Sequence, residues 1–415
     1  MNAFLFFLGL LIVVATWANV LATMVLPRRP GGFNRVSLWV NRCVREIFLG
    51  LARFAKSFEA KDAILAPAAP AALLAQLLAW GAAFIVGFGL MLQSTTHNLP
   101  DGLLQALGSV FTVGAVHSGG RENVPLDVAA GATWVVVVAL QIAYLPALYG
   151  AFSQREALVA MLESRAGVPA WGPELLARHQ LVGIIDTLPD LYSSWEEWAA
   201  AVAESHTTYP VMLMFRSPEP WFSWLLALLA VLDGAAMHLA LAPATASSNA
   251  RLCLRMGFTC LDRIGSMLGW HLDPDPLPEA PIALTFGEFE EAVQMLQAIG
   301  FPIERSAEEA WPDFHGWRVN YETVAYRLAD KLVVPPAPWS GPRRHLGTGI
   351  TEPRRPPHRR PASSTQAFAP RALVPRRRIP GPPGASSTAG PEAVPDQSSG
   401  PSRGDDGTTG GSTSH

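Results

Sequence analysis

The stretch PAALLAQLLAWGAAFIVGFGLMLQSTTHNLPDGLLQALGSVFTVGAVHSGGRENVPLDVAAGATWVVVVALQIAYLPALYGA, Pro70–Ala151, decides how the rest of the chain is read. Ala71–Leu92 is almost wholly apolar and long enough to cross the roughly 30 Å hydrocarbon layer of a bilayer. A polar loop follows, and a short helix is predicted over Asp101–Phe111, with Asp101, just after Pro100, as its N-cap. Thr112, Val113, Gly114, Ala115 and Val116 make a turn, a second polar loop runs past His117, and Leu126–Tyr149 reads as another long apolar helix. Non-helical backbone at membrane depth is tolerated only where protein buries it or a water-filled cavity satisfies it. The short helix and its turn are therefore expected to be re-entrant. The partial negative charge at the helix C-terminus would point inward, where it favours a cation.

On these residues the stretch resembles the pore of the two-span potassium-channel family, over about a fifth of the chain. In that family the carbonyls of a Thr-x-Gly-x-Gly turn, contributed by four subunits, replace the ion's water, and glycines give the backbone the dihedrals this needs. Thr112, Val113 and Gly114 match the turn, and Gly108, Ser109, Val110 and Phe111 look like its approach. Where the family carries an aromatic residue and a second glycine, this chain has Ala115 and Val116, and a β-branched residue disfavours positive φ. The resemblance implies a homotetramer in a lipid bilayer, passive conduction of a monovalent, potassium-like cation, and a selectivity that Val116 leaves open. The helix after the turn would line the pore. Ala129, Ala130, Gly131 and Ala132 permit close backbone approach. Gly131 as a bending point, Gln141 as a cavity-facing polar group and Pro146 as a kink are candidates for the gate, with simple packing as the alternative for Gly131 and Pro146.

Composition supports a membrane protein with soluble additions: of 415 residues, 49% are hydrophobic and only 16% charged. A net charge of −3 gives no reason to expect a nucleic-acid partner. Cys43, Cys253 and Cys260 form neither a disulfide framework nor a metal-ligand pattern, and no cofactor is implied.

Working outward, residues 1–26 hold a first transmembrane helix. No Lys or Arg precedes its apolar run, whereas Arg28 and Arg29 follow it, so an uncleaved span with an external N-terminus is expected. Residues 27–69 are rich in Arg and Lys and belong in the cytoplasm by the positive-inside rule. Within them Val40, Val44, Ile47, Phe48 and Leu51 recur at roughly helical spacing, which predicts an amphipathic helix at the inner membrane surface or one packed on the cytosolic part. Residues 70–151 are the pore-like domain, with outer loops whose single basic residue is Arg121. Residues 152–334 are expected to form a cytosolic helical domain. Its Trp221–Leu241 segment has the length of a fourth span, but Asp233 at its centre, His238, and the Arg-rich region after it predict a buried central helix with Asp233 paired. Asp186, Asp190, Glu196 and Glu197 read as a solvated face before a cation site, and His206 near Glu204 as structural. Ser205, Tyr209-Pro210 and Phe215-Arg216-Ser217-Pro218, with Trp317–Trp339, look similar to the cytosolic part of actinobacterial channel-like membrane proteins. Residues 335–415, dominated by Pro, Gly, Ser, Thr and Arg, are expected to be a disordered tail.

Gly167-x-x-x-x-Gly172 lacks the Lys-Ser/Thr of a phosphate loop, no span carries regularly spaced arginines, and no Ser-His-Asp, Cys-His or zinc motif is present. An enzyme is not expected. The fold anticipated is an all-α membrane protein with three transmembrane helices, a re-entrant pore helix, a cytosolic helical bundle and a disordered tail. It would be multi-pass in the cell membrane with its C-terminus in the cytoplasm. The other reading left open is a non-conducting membrane scaffold or sensor whose cytosolic domain binds a protein partner.

Overall fold

Residues 2–25, 35–96, 98–112 and 121–340 are described in the computed structural model, and among them the regular structure is helical with no strand. The helices are α1 (Asn2–Met24), α2 (Arg35–Ala52), α3 (Phe58–Leu65), α4 (Ala68–Thr96), α5 (Leu99–Thr112), α6 (Val124–Ala166), α7 (Gly172–Val182), α8 (Leu188–Thr208), α9 (Trp224–Leu241), α10 (Ser248–Met267), α11 (Phe286–Ala298), α12 (Ala307–Arg318) and α13 (Glu322–Leu332). Four apolar stretches, those of α1, α4, α6 and α9, are long and apolar enough to cross a membrane. Residues 26–34, much of the predicted tail and the turn after Thr112 lie outside the described residues.

The helices α1, α4 and α6 pack antiparallel in turn. Gly9 of α1 lies against Gly87 of α4, so close that a Cβ at Gly9 would collide with the Gly87 carbonyl. Ten residues on, Asn19 accepts a hydrogen bond from Trp80 Nε1 at 2.8 Å. Between α4 and α6 the Trp134 ring lies over Gly81, and Gln76 and Gln141 line one small cavity. These polar residues are thus collected inside: Asn19 is satisfied there by Trp80 and Ser37, whereas the amide of Gln76 and Oε1 of Gln141 are buried without a hydrogen-bond partner among the described residues.

Two expectations are corrected here. The short helix starts at Leu99 and its cap is Asn98, not Asp101: Asn98 Oδ1 accepts from the Asp101 backbone N–H at 2.8 Å, and Asn98 Nδ2 donates to Asp101 Oδ2 at 2.7 Å. The long helix does not end near Tyr149. It runs unbroken through Pro146 and past Ala151 to Ala166, into the part expected to belong to the cytosolic domain. A proline in a helix interior costs about 3 kcal/mol. Here Tyr144 and Leu148, on either side of Pro146, are anchored in a cluster with Ala69, Ala72, Met212 and Phe215 that holds the helix through the defect.

Every residue of α9 is buried, and α6, α7, α8, α10, α12 and α13 pack around it. The expected pairing of Asp233 is present. Its Oδ1 accepts from Tyr321 Oη at 2.8 Å and forms an ion pair with Arg318 Nη1. Arg318 also donates to Glu322 at 2.6 Å, Tyr326 Oη at 2.9 Å and the Trp339 carbonyl at 2.8 Å. One guanidinium thereby joins α9, α12 and α13 at the centre of the core. Two other arginines hold this helical domain to the apolar hairpins. Buried Arg155 on α6 donates to the carbonyls of Met212 (3.1 Å) and Phe215 (2.9 Å). Arg216 pairs with Asp62 of α3 and donates to the carbonyls of Leu332 and Val333.

Candidate functional site

The site is the nest formed by α4, α5 and α6. Pro100 falls in the first turn of α5, where a missing N–H is no loss. From its Asn98 cap the helix doubles back along α4: a Cβ on Gly102 would come within 2.6 Å of the Gly89 carbonyl oxygen, so these backbones touch. Ala106 and Val110, on the same face, join Phe84, Phe88 and Ala130 in one apolar core. At the end of α5, Phe111 meets Trp134 of α6 edge-on at 5.9 Å, and a Cβ at Gly81 of α4 would lie 3.0 Å from the same Trp134 ring. α5 therefore runs antiparallel to α4 and in the same direction as α6. Thr112 is its last residue, exposed, with Oγ1 donating to the Gly108 carbonyl at 2.6 Å.

A polar cluster fastens α5 to α6. Asp127 is fully buried and accepts from Ser109 Oγ at 2.6 Å and from Gln105 Nε2 at 2.9 Å. Asn123 Nδ2 approaches Gln105 Oε1 at 3.5 Å, a weak contact. Gln105 and Ser109 are one helical turn apart, which puts both donors on the face of α5 turned to α6. The cluster fixes the rotation and height of the short helix relative to the long one.

Of the residues expected to form the filter, Val113, Gly114, Ala115 and Val116 lie outside the described residues, and Thr112 stands at their threshold. Gly131 and Gln141 are buried within the chain. Gln141 sits in a 30 Å³ cavity with Gln76, Thr23 and Tyr144, on the side of α6 that faces α4, so it does not lie on an outer face where copies could share an axis. Pro146 is exposed, on the opposite side of α6 from Tyr144 and Leu148. The small residues divide: Ala130 and Gly131 pack inward, whereas Ala129 and Ala132 are exposed. The sequence reading passed over Asp127 and Gln105, and took Ser109 only as part of the approach to the turn. The signal was present, because a carboxylate inside an apolar span marks a functional candidate by itself.

Among the described residues no three His, Cys, Asp or Glu side chains gather as a metal site, and Asp186, Asp190 and Glu197 are exposed. His206 is buried against Trp224 and accepts from Arg155 Nη1 at 3.1 Å, and its burial beside that cation pushes its pKa well below the usual histidine value. Cys253 and Cys260 are buried, and burial pushes the Cys260 thiol up to about 12, which keeps it protonated and inert. No family model, curated protein or solved structure matches this chain.

Proposed function

We propose that the chain is one subunit of a tetrameric, channel-like protein of the two-span potassium-channel type, in which α1, α4 and α6 cross the bilayer, α5 is a re-entrant pore helix, and monovalent cations move passively past Thr112–Val116. The observation that carries this reading is the level at which α5 stops. Its end meets Trp134 and Gly81. At 1.5 Å per residue that is roughly 15 Å along α6 from its start and roughly 22 Å back from the end of α4, well inside a hydrocarbon layer of about 30 Å. Carbonyls at the end of a helix halted there carry partial negative charge where a cation is otherwise poorly solvated. Arg121, by contrast, is back at the start of α6.

Neither two nor three spans with one short helix enclose an aqueous path, so conduction requires several copies. The exposed side of α6 carries Ala129, Ala132, Ala139, Ala143 and Ala147, side chains that let a neighbouring helix come close. Orientation follows from charge: α2 and its flanks are basic and belong on the cytoplasmic side, which leaves the N-terminus outside. α9 is read as a buried helix of the cytosolic domain, because helices whose outer faces carry Asp190, Glu197, Arg251 and Arg255 surround it and exclude lipid.

The test is a potassium gradient across liposomes that contain the purified, mass-verified tetramer. Flux that Gly114→Val abolishes is expected, and Val116→Gly is expected to sharpen potassium over sodium. A verified tetramer that passes no ion gives the protein to the scaffold or sensor reading instead.

A further inference from the structure

Where α2 and the start of α4 meet the Pro210–Met214 turn and the C-terminal ends of α10 and α13, there is a cavity of 230 Å³. One wall is apolar, with Leu38, Phe48, Leu49, Leu65 and Met214 among its residues. The other carries Arg42, Arg45 and Lys331. Arg216 also borders the cavity, but its guanidinium is used by Asp62 and two carbonyls. Arg45 is shared between Glu46 at 2.9 Å and the Lys331 carbonyl at 3.2 Å. The charged ends of Arg42 and Lys331 have no ion pair or hydrogen bond among the described residues. The strain is electrostatic: burial, and then the charges of Arg45 and Arg42, push the Lys331 pKa down. Three cations converge on a half-enclosed space where Glu46 answers only Arg45 and Asp62 is taken by Arg216, an arrangement that an anion relieves.

The shape narrows the anion's class. Whole drug-sized ligands occupy roughly 300–1,000 Å³, so this space suits a headgroup whose remainder stays outside. At the rim Leu38 is itself 49% exposed and carries the apolar wall outward, while Trp39 (66%), Ile47 (61%) and Leu51 (51%) form a separate exposed apolar face of α2 turned away from the cavity. We propose that the cavity binds the headgroup of an anionic glycerophospholipid, its phosphate held by Arg42, Arg45 and Lys331 and its acyl chains leaving past the half-exposed Leu38 on the apolar wall. A soluble phosphate would meet the same cations but leave the apolar wall uncovered. The proposal needs α1 and α4 to lie in the bilayer, not conduction. It gives the membrane a direct hold on α13, and through Arg318 and Glu322 on the core of the helical domain.

The experiment is native mass spectrometry of the full chain in mild detergent, titrated in parallel with dioleoylphosphatidylglycerol, dioleoylphosphatidylcholine and glycerol 3-phosphate. Phosphatidylglycerol is expected to bind at least about tenfold more tightly than either of the others. Arg42→Gln with Lys331→Gln should weaken it by about thirty-fold, from the loss of two near-surface charges. Arg53→Gln with Lys56→Gln, on the same basic segment but outside the cavity, should leave it unchanged. Lys331→Arg alone, which keeps the charge, should bind as the unaltered chain does, so a loss through misfolding is told apart from a loss of the cation. Equal binding of the two lipids, equal sensitivity to the outer pair, or glycerol 3-phosphate bound as tightly as lipid would each overturn the proposal.

Discussion

Asp233 and His238 place titratable groups in α9, and burial moves them in opposite senses. It raises the Asp233 carboxyl to about 6, against the opposing charge of Arg318, and lowers His238 to about 4, with Glu304 opposing more weakly. For the histidine the unfolded chain takes up a proton near pH 6.5, while the folded chain resists until about 4. Stability from this group is therefore complete above pH 6.5 and is lost as the pH falls toward 4, by about 3 kcal/mol in all. Asp233 works against this trend, gaining folded-state protons below about 6, so the raw pH profile of the protein mixes both. The difference between the unaltered chain and His238→Leu isolates the histidine. His238 is nearly buried beside Phe301 and Tyr192, and leucine fills that place without titrating. Thermal melts at pH 7.5, 6, 5 and 4 should show the stability gap between the two shifting in favour of the leucine variant as acidity rises. A gap constant with pH would mean that the ring stays as protonatable in the fold as in the unfolded chain.

At the scale of the element, the seating of α5 depends on one close approach. A Cβ at Gly102 would lie 2.6 Å from the Gly89 carbonyl oxygen and 3.2 Å from the Gln93 backbone nitrogen, both main-chain atoms that cannot swing aside. Gly102→Ala should therefore cost stability in spite of alanine's better helix propensity, by about 1–3 kcal/mol as for other overpacked sites, and should reduce ion flux by shifting Thr112. Gly150→Ala is the matched control. Nothing lies within 4 Å of its new methyl group, so propensity alone acts and the melt should hold or rise. A Gly102→Ala protein that melts with the unaltered chain would mean that α5 is not held against α4. The apolar helices were legible because length and hydropathy are local: Ala71–Leu92 lies inside α4, and Asp101–Phe111 lies inside α5. Asp233 announced that it needed a partner, but not that the partner was Arg318, 85 positions away, because the sequence does not order contacts across helices. The end expected near Tyr149 was misplaced for a different reason: the apolar run stops there locally, whereas the packing of Tyr144 and Leu148 on distant residues carries α6 onward. For Gln141, polarity told that it avoids lipid, and both an internal cavity, such as the one it lines with Gln76, and a shared pore satisfy that rule.

At the scale of the whole molecule, hydropathy treats α9 like the other apolar helices, and its surroundings separate it from them. α1, α4 and α6 each leave large side chains uncovered, such as Phe7, Leu78 and Ile142, while α9 leaves none. A helix wrapped completely by amphipathic neighbours has no lipid-facing side, so the two ends of α9 should lie in the same compartment. Full-length protein lacking its native cysteines, with a single cysteine at Glu219→Cys before α9 or Thr245→Cys after it, tests this directly, since both positions are outside the buried core. A membrane-impermeant maleimide should label both from the cytoplasmic face of inverted vesicles and neither from the outside of intact cells. Labelling from opposite faces would make α9 a span, turn the C-terminal half outward and place Arg155 and Arg216 on different sides of the bilayer from Arg318. The contacts of Arg216 argue against that outcome: it precedes α9, yet its guanidinium donates at 2.8 and 2.9 Å to the carbonyls of Leu332 and Val333, which follow α9, so a crossing by α9 would have to break both bonds.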